Sequence, residues 1–230
     1  MKVLLVHDYS SLDGGAEAGT CTLRRGLIQR GFDARIFAAE TGRNDIADYL
    51  CYGTKGKFRT ALQTANPSAV RVLRQVLRDF RPDVVHVRMF LSQLSPLILP
   101  LLRDIPAIYH AVWYRAACPK GTKLLPNGES CQHTPGLSCL RERCLPPWDW
   151  TALMAQMWMF ERWRGAFDAV VANSRSVQGR LRKVGISTDV IWNGVPERGI
   201  HGDLSAEPVA GFAGRLVKEN GVSGRTELSS

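Results

Sequence analysis

The chain begins Met1-Lys2-Val3-Leu4-Leu5-Val6-His7-Asp8 and continues Tyr9-Ser10-Ser11-Leu12-Asp13-Gly14-Gly15-Ala16-Glu17, and this opening sets the architecture expected of the whole chain. Lys2–Val6 is short and almost continuously apolar, the pattern of a strand buried on both faces. The polar loop from Ser10 to Gly15 leads into Ala16–Arg30. There Ala16, Cys21, Leu23, Leu27 and Ile28 recur at helical spacing, and Gly31 ends the run. A buried strand, a glycine loop and an amphipathic helix make the first unit of a parallel sheet, which binds ligands beyond the carboxyl ends of its strands.

The alternation persists. Ala34–Ala39 reads as a second strand, Asp45–Tyr49 as a short helix, and Ser68–Phe80 as a helix with Val70, Leu73, Val76 and Leu77 on its inner face. Arg71, Arg74 and Arg78 form a neighbouring basic stripe. Asp83–Val87 and Ala107–Val112 are strands three and four, with a crossover helix over Leu91–Leu102 that Pro96 and Pro100 interrupt. A Met- and Trp-rich helix covers Asp149–Arg164. Strands at Asp168–Ala172 and Asp189–Trp192 flank a helix over Ser176–Val184. The expected fold class is α/β, a Rossmann-like doubly wound parallel sheet.

A formal charge of +9, from 30 basic against 21 acidic residues, favours anionic partners such as nucleotide phosphates or acidic lipid. The basic residues are spread along the chain with no nucleic-acid motif, so nucleic acid is not an expected partner. The opening apolar run is too short for a signal peptide. Met89–Leu102 is broken by Ser92, Gln93, Pro96 and Pro100, short of the roughly 20 apolar residues that span a bilayer. A cytoplasmic protein is expected. Trp148, Trp150, Trp158 and Trp163 with Arg162 and Arg164 suit peripheral contact at the inner membrane face, an acceptor groove, or core packing.

Gly14 and Gly15 at a helix start let backbone amides approach a phosphate or sugar, with Glu17 beside them; a tight turn is the plain alternative. The spacing is not G-x-G-x-x-G, so a nicotinamide cofactor is not expected. His110, near the end of the fourth strand, suits hydrogen bonding to a reacting group or simple packing within the sheet. Asn173 and Ser174 follow the next strand, where Ser174 also fits a helix cap. Cys118, Cys131, Cys139 and Cys144 fall with His133 in an irregular loop, 116–147. Four thiolates can close a structural zinc site, yet no pair has C-x-x-C spacing, and free thiols or disulfides fit equally.

Five segments in order carry a resemblance to a known family. They are Gly14-Gly15-Ala16-Glu17 with the helix end Arg30-Gly31-Phe32-Asp33, then Arg81-Pro82-Asp83-Val84-Val85-His86-Val87, then Ala172-Asn173-Ser174. Trp192-Asn193-Gly194-Val195 and Gly214-Arg215-Leu216-Val217-Lys218-Glu219-Asn220-Gly221-Val222 complete the set. The pattern resembles glycosyltransferase family 4, group 1 type. The resemblance implies the two-domain GT-B fold: an N-terminal domain over 1–195, a linker over 196–207, and a truncated start of the nucleotide-sugar domain over 208–230. It implies retaining transfer from a nucleotide-diphosphate sugar to a glycan, lipid or small-molecule acceptor, with no cofactor required for catalysis. It gives His110 the catalytic position and Arg215 the diphosphate. Gly14, Gly15, Glu17, Asn173 and Ser174 would contact substrate. Three positions depart from the pattern: Arg88 stands where His is usual, Ala111 where Asp follows the histidine, and Asn220 where Lys is usual. Little or no transfer is expected of these 230 residues alone. The alternative is a non-catalytic sugar- or nucleotide-binding domain, or a subunit completed by a second chain.

Overall fold

The computed structural model of the chain describes residues 1–194. Strand β1 (Lys2–His7) leads into helix α1 (Gly15–Gln29), then β2 (Asp33–Glu40), β3 (Tyr49–Tyr52), α2 (Arg59–Thr64), α3 (Pro67–Phe80) and β4 (Val84–Val87). A 3-10 helix, Pro96–Leu102, crosses to β5 (Ala107–Ala111). There follow α4 (Ser138–Arg141), α5 (Pro147–Trp163), β6 (Ala169–Ala172), α6 (Arg175–Arg182) and β7 (Asp189–Val190). The strands form one sheet in the order β3-β2-β1-β4-β5-β6-β7, parallel throughout. This is the expected Rossmann-like, doubly wound α/β architecture. The strand order reverses between β1 and β4, which puts the topological switch point at the carboxyl ends of those two strands.

The two faces are covered unequally. Leu4, Val6, Phe37, Val85, Val87, Tyr109 and Ala172 face a continuous apolar layer supplied by α3, the 3-10 helix, α5 and α6. On the opposite face Val3, Leu5, Ala34, Ile36 and Ala38 pack beneath Cys21, Leu23 and Leu27 of α1. Farther along that second face His86, Ile108, His110, Ala169 and Val171, with Gly19, Thr22 and Leu23 of α1, line an open cavity among the described residues.

Two sequence expectations are corrected, each because tertiary partners take the amides that a helix would need. Asp45–Tyr49 is not helical: Asp45 and Ile46 donate their backbone N–H to Ser10 O at 2.9 and 3.2 Å, and Asp48 donates to Ile36 O. The chain then adds β3 to the sheet edge, a strand that the sequence pattern does not reveal. In Leu91–Leu102 only the stretch from Pro96 onward is helical, and it is 3-10. The backbone N–H groups of Ser92, Gln93 and Leu94 instead donate to the carboxylate of Asp8.

The remaining helices follow local rules. Asn66 caps α3 by accepting the Ala69 N–H at 2.9 Å, with Pro67 in the first helical position. Ser174 caps α6 by accepting the Val177 N–H. Among the described residues no helix is long and apolar enough to cross a membrane.

Candidate functional site

A polar cleft of about 570 Å³ lies beyond the carboxyl ends of β1, β4 and β5. Its floor is organised by Asp8, fully buried, whose carboxylate gathers the chain after β4 by accepting the backbone N–H groups of Ser92, Gln93 and Leu94. Burial pushes the Asp8 carboxyl up to about 6, while those three amides pull it down. One wall is Tyr9, whose hydroxyl shares a 2.8 Å hydrogen bond with Ser92 Oγ. Trp113 and Met89 add apolar surface, and Lys55 and Arg59 add positive charge.

The loop Asp13-Gly14-Gly15-Ala16-Glu17 forms the opposite wall. Gly14 is the N-cap of α1, and no side chain caps the helix there. The first amides of α1, with the positive end of the helix dipole, therefore bear on the cleft. A Cβ on Gly15 would meet nothing within 4 Å, so this position opens onto free space. A Cβ on Gly14 would come within 2.8 Å of Glu17 Oε2. The structure thus brings Gly14, Gly15 and Glu17 together on one cleft. Sequence reasoning missed Lys55, Arg59 and Trp113; the basic run Lys55-Gly56-Lys57-Phe58-Arg59 was a readable signal, whereas Trp113 reaches the cleft only through the sheet.

His110 lines a different cavity, of about 460 Å³, on the second face of the sheet. Its ring stacks on that of His86, with centroids 5.6 Å apart. Burial first, then neighbouring charge (His110 and Arg88 beside His86, Arg88 beside His110), holds both imidazoles well below their ordinary range, His86 at about 3 and His110 at about 4. Both are neutral at neutral pH. Asn173 donates from Nδ2 to Val112 O at 3.2 Å, tying the end of β6 to the end of β5. Ser174 is engaged as the α6 cap. Arg215 lies outside the described residues.

The loop 116–147 is moored by Arg115, another residue that sequence reasoning missed. Its guanidinium is buried and donates to Leu91 O, to Pro119 O and to the side-chain oxygens of Gln63 and Gln156. All six cysteines are free thiols. The Cys144 thiol is pushed up by burial first and then by Cys139, Cys131 and Cys118. Among the described residues, however, no three His, Cys, Asp or Glu side chains are arranged to hold a metal ion. Helix α5 packs against α2, with Thr64 Oγ1 donating to Ala152 O at 3.1 Å. Its outer face exposes Trp148 (76%) and Trp158 (67%).

Comparison with known proteins bears on this arrangement. The sequence model for Glycosyltransferase Family 4 matches residues 13–198. Curated proteins give no match. Among solved structures, a sucrose-phosphate synthase from Thermosynechococcus elongatus aligns at 15% identity and a TM-score of 0.48, covering 83% of this chain and 47% of that one. A putative UDP-N-acetylglucosamine 2-epimerase from Listeria monocytogenes aligns at 12% identity and 0.47, covering 80% and 42%. An Anabaena protein, HepE, in complex with UDP-glucose aligns at 15% and 0.43, covering 85% and 44%. The chain spans somewhat under half the length of these structures.

Proposed function

We propose a function from one premise: the chain belongs to glycosyltransferase family 4, whose sequence model covers most of its described residues. On that premise it is the acceptor-side part of a retaining transferase that moves a sugar from a nucleotide-diphosphate sugar to a hydroxyl acceptor. The observation that carries the reading is the polar cleft at the switch point, with the uncapped start of α1 at Gly14-Gly15 on one side and Lys55 and Arg59 on the other. Uncapped amides and cations suit the hydroxyls and negative charge of sugar or sugar-phosphate groups. The apolar surface of Trp113 suits the face of a sugar ring. The chemical demand in such transfer is to stabilise a diphosphate leaving group as it departs. Arg215 is the residue we assign to that task. The family resemblance gives His110 the catalytic position, and it lines the second cavity of this domain.

Exposed Trp148 and Trp158, with Lys57 and Phe58 exposed on the segment before α2, support an acceptor presented at an anionic membrane surface. The proposal is tested by titrating the purified chain with a panel of UDP-sugars and oligosaccharides, followed by isothermal calorimetry and saturation-transfer NMR. Binding of at least one saccharide, abolished by Gly15→Trp with the melting temperature unchanged, is the expected result. No binding across the panel, or binding indifferent to Gly15→Trp, would overturn it.

A further inference from the structure

The cavity on the second face of the sheet contains a charge that no acidic side chain among the described residues neutralises. Arg88 follows β4 and is only 4% exposed. Its Nη2 donates to Asn193 Oδ1 at 3.1 Å, and its Nε has no hydrogen-bond partner among the described residues. Among the described residues it takes part in no ion pair, and burial alone perturbs its guanidinium. Arginine does not shed its proton to relieve such a position, so a buried guanidinium without an anion carries the desolvation penalty of an unpaired buried ion. Its neighbours add to the deficit: the Nε2 atoms of His86 and His110 are also buried and without partners.

The space beside this charge is shaped for a molecule. It measures about 460 Å³, within the range of small-molecule sites. Apart from Arg88 and the two histidines its walls are mostly apolar, formed by Leu23, Ile108, Val171, Ile191 and Trp192. Gly19 keeps α1 clear of the charge: a Cβ there would stand 3.3 Å from Arg88 Nη2. An anion alone would leave the apolar walls unfilled, and an apolar ligand alone would leave Arg88 unpaired.

We infer that this cavity is a binding site for an amphiphilic anion, its single carboxylate or phosphate head on Arg88 and its hydrocarbon body against Ile108, Val171 and Trp192. This site is separate from the polar cleft and does not depend on the transfer reaction proposed for it. A fatty acid and a lipid phosphate share this chemistry.

Decanoate and decyl phosphate, each in monomeric form, distinguish the two sources when titrated into the full chain by calorimetry, with inorganic phosphate as the headgroup-only probe. One-to-one binding of either amphiphile is expected, with inorganic phosphate much weaker. Arg88→Met should weaken it about thirtyfold or more, as for loss of one partner in a buried charge pair. Ile108→Trp, which fills the cavity and leaves the charge, should weaken it comparably and guards against misfolding of the first variant. Saturable binding by the wild-type chain that both variants lose supports the site. Absence of binding, inorganic phosphate binding as tightly as the amphiphiles, or binding unaffected by Ile108→Trp would overturn it.

Discussion

The Oδ1 of Asp8 accepts the backbone N–H of Gln93 at 2.7 Å, joining the end of the first strand to the segment that leaves the fourth across 85 positions of sequence. The same carboxylate takes the amides of Ser92 and Leu94, so one side chain satisfies three consecutive buried donors. Asp8→Ala orphans all three, and each unsatisfied buried amide costs about 1–3 kcal/mol. A loss of roughly 3 kcal/mol or more is expected in urea unfolding. A loss below about 1 kcal/mol would show that water or a backbone shift replaces the carboxylate.

Acid should destabilise the protein well above the pH of ordinary carboxylate titration. Burial lowers His7 and His110 from 6.5 to about 4, and His86 to about 3. Between those values and 6.5 the unfolded chain binds more protons than the folded one, so stability falls as pH drops through that window. Asp8 acts oppositely: its folded carboxyl holds its proton up to about 6, so its share of stability is lost as pH rises from 3.8 to 6. Each group contributes on the order of 3 kcal/mol, and three imidazoles outweigh one carboxyl. Urea midpoints measured from about pH 7 down to about pH 4.5 should therefore decline, less steeply in His110→Asn. A flat or rising profile would contradict the burial of these rings.

Gly53 should not tolerate a side chain. A Cβ there would stand 2.7 Å from Glu40 O and 2.9 Å from Thr41 Cγ2, the first of them backbone that cannot swing aside. Gly53→Ala is expected to cost about 1–3 kcal/mol, as for overpacking, and to loosen β3, which pairs with β2 just before it. Hydrogen exchange at Cys51, whose amide by strand alternation turns toward β2 while that of Tyr52 goes to Ser68 Oγ, would report the loosening, and unchanged protection there would refute it.

The exposed tryptophans of α5 make a surface prediction. The chain should co-sediment with phosphatidylcholine vesicles doped with phosphatidylglycerol, and less so in high salt, because both aromatic insertion and cation attraction contribute. Replacing Trp148 and Trp158 with Ser should weaken that binding about tenfold, with melting unchanged because both rings are solvent-facing. Salt-insensitive binding, or none, would remove the membrane from the proposal.

Much of the fold was legible in local pattern. The apolar run Lys2–Val6, the helical spacing ending at Gly31, and the apolar spacing of Val70, Leu73, Val76 and Leu77 in α3 each specify an element through interactions within a few residues. The two misread segments, 45–49 and 91–95, share one cause: their amides are taken by groups distant in sequence, Ser10 O, Ile36 O and the Asp8 carboxylate. Periodicity carries no record of such partners. β3 was missed for the same reason, since an edge strand of four residues is held by its neighbour rather than by its own sequence.

The sites divide along the same line. The sequence by itself determined the alternation of strand and helix, the glycine pair at the first helix start, and the five motifs that mark the family, because these depend on local geometry and on residue order. Tertiary structure alone decided that Gly14 and Gly15 share a cleft with Lys55, Arg59 and Trp113, and that His110 shares a cavity with His86 and with Arg88, which has no ion-pair partner among the described residues. In a strand, neighbouring residues point to opposite faces, and pairing in a sheet sets distant segments side by side. Which face is left uncovered depends on where every helix goes, and no short stretch of sequence contains that.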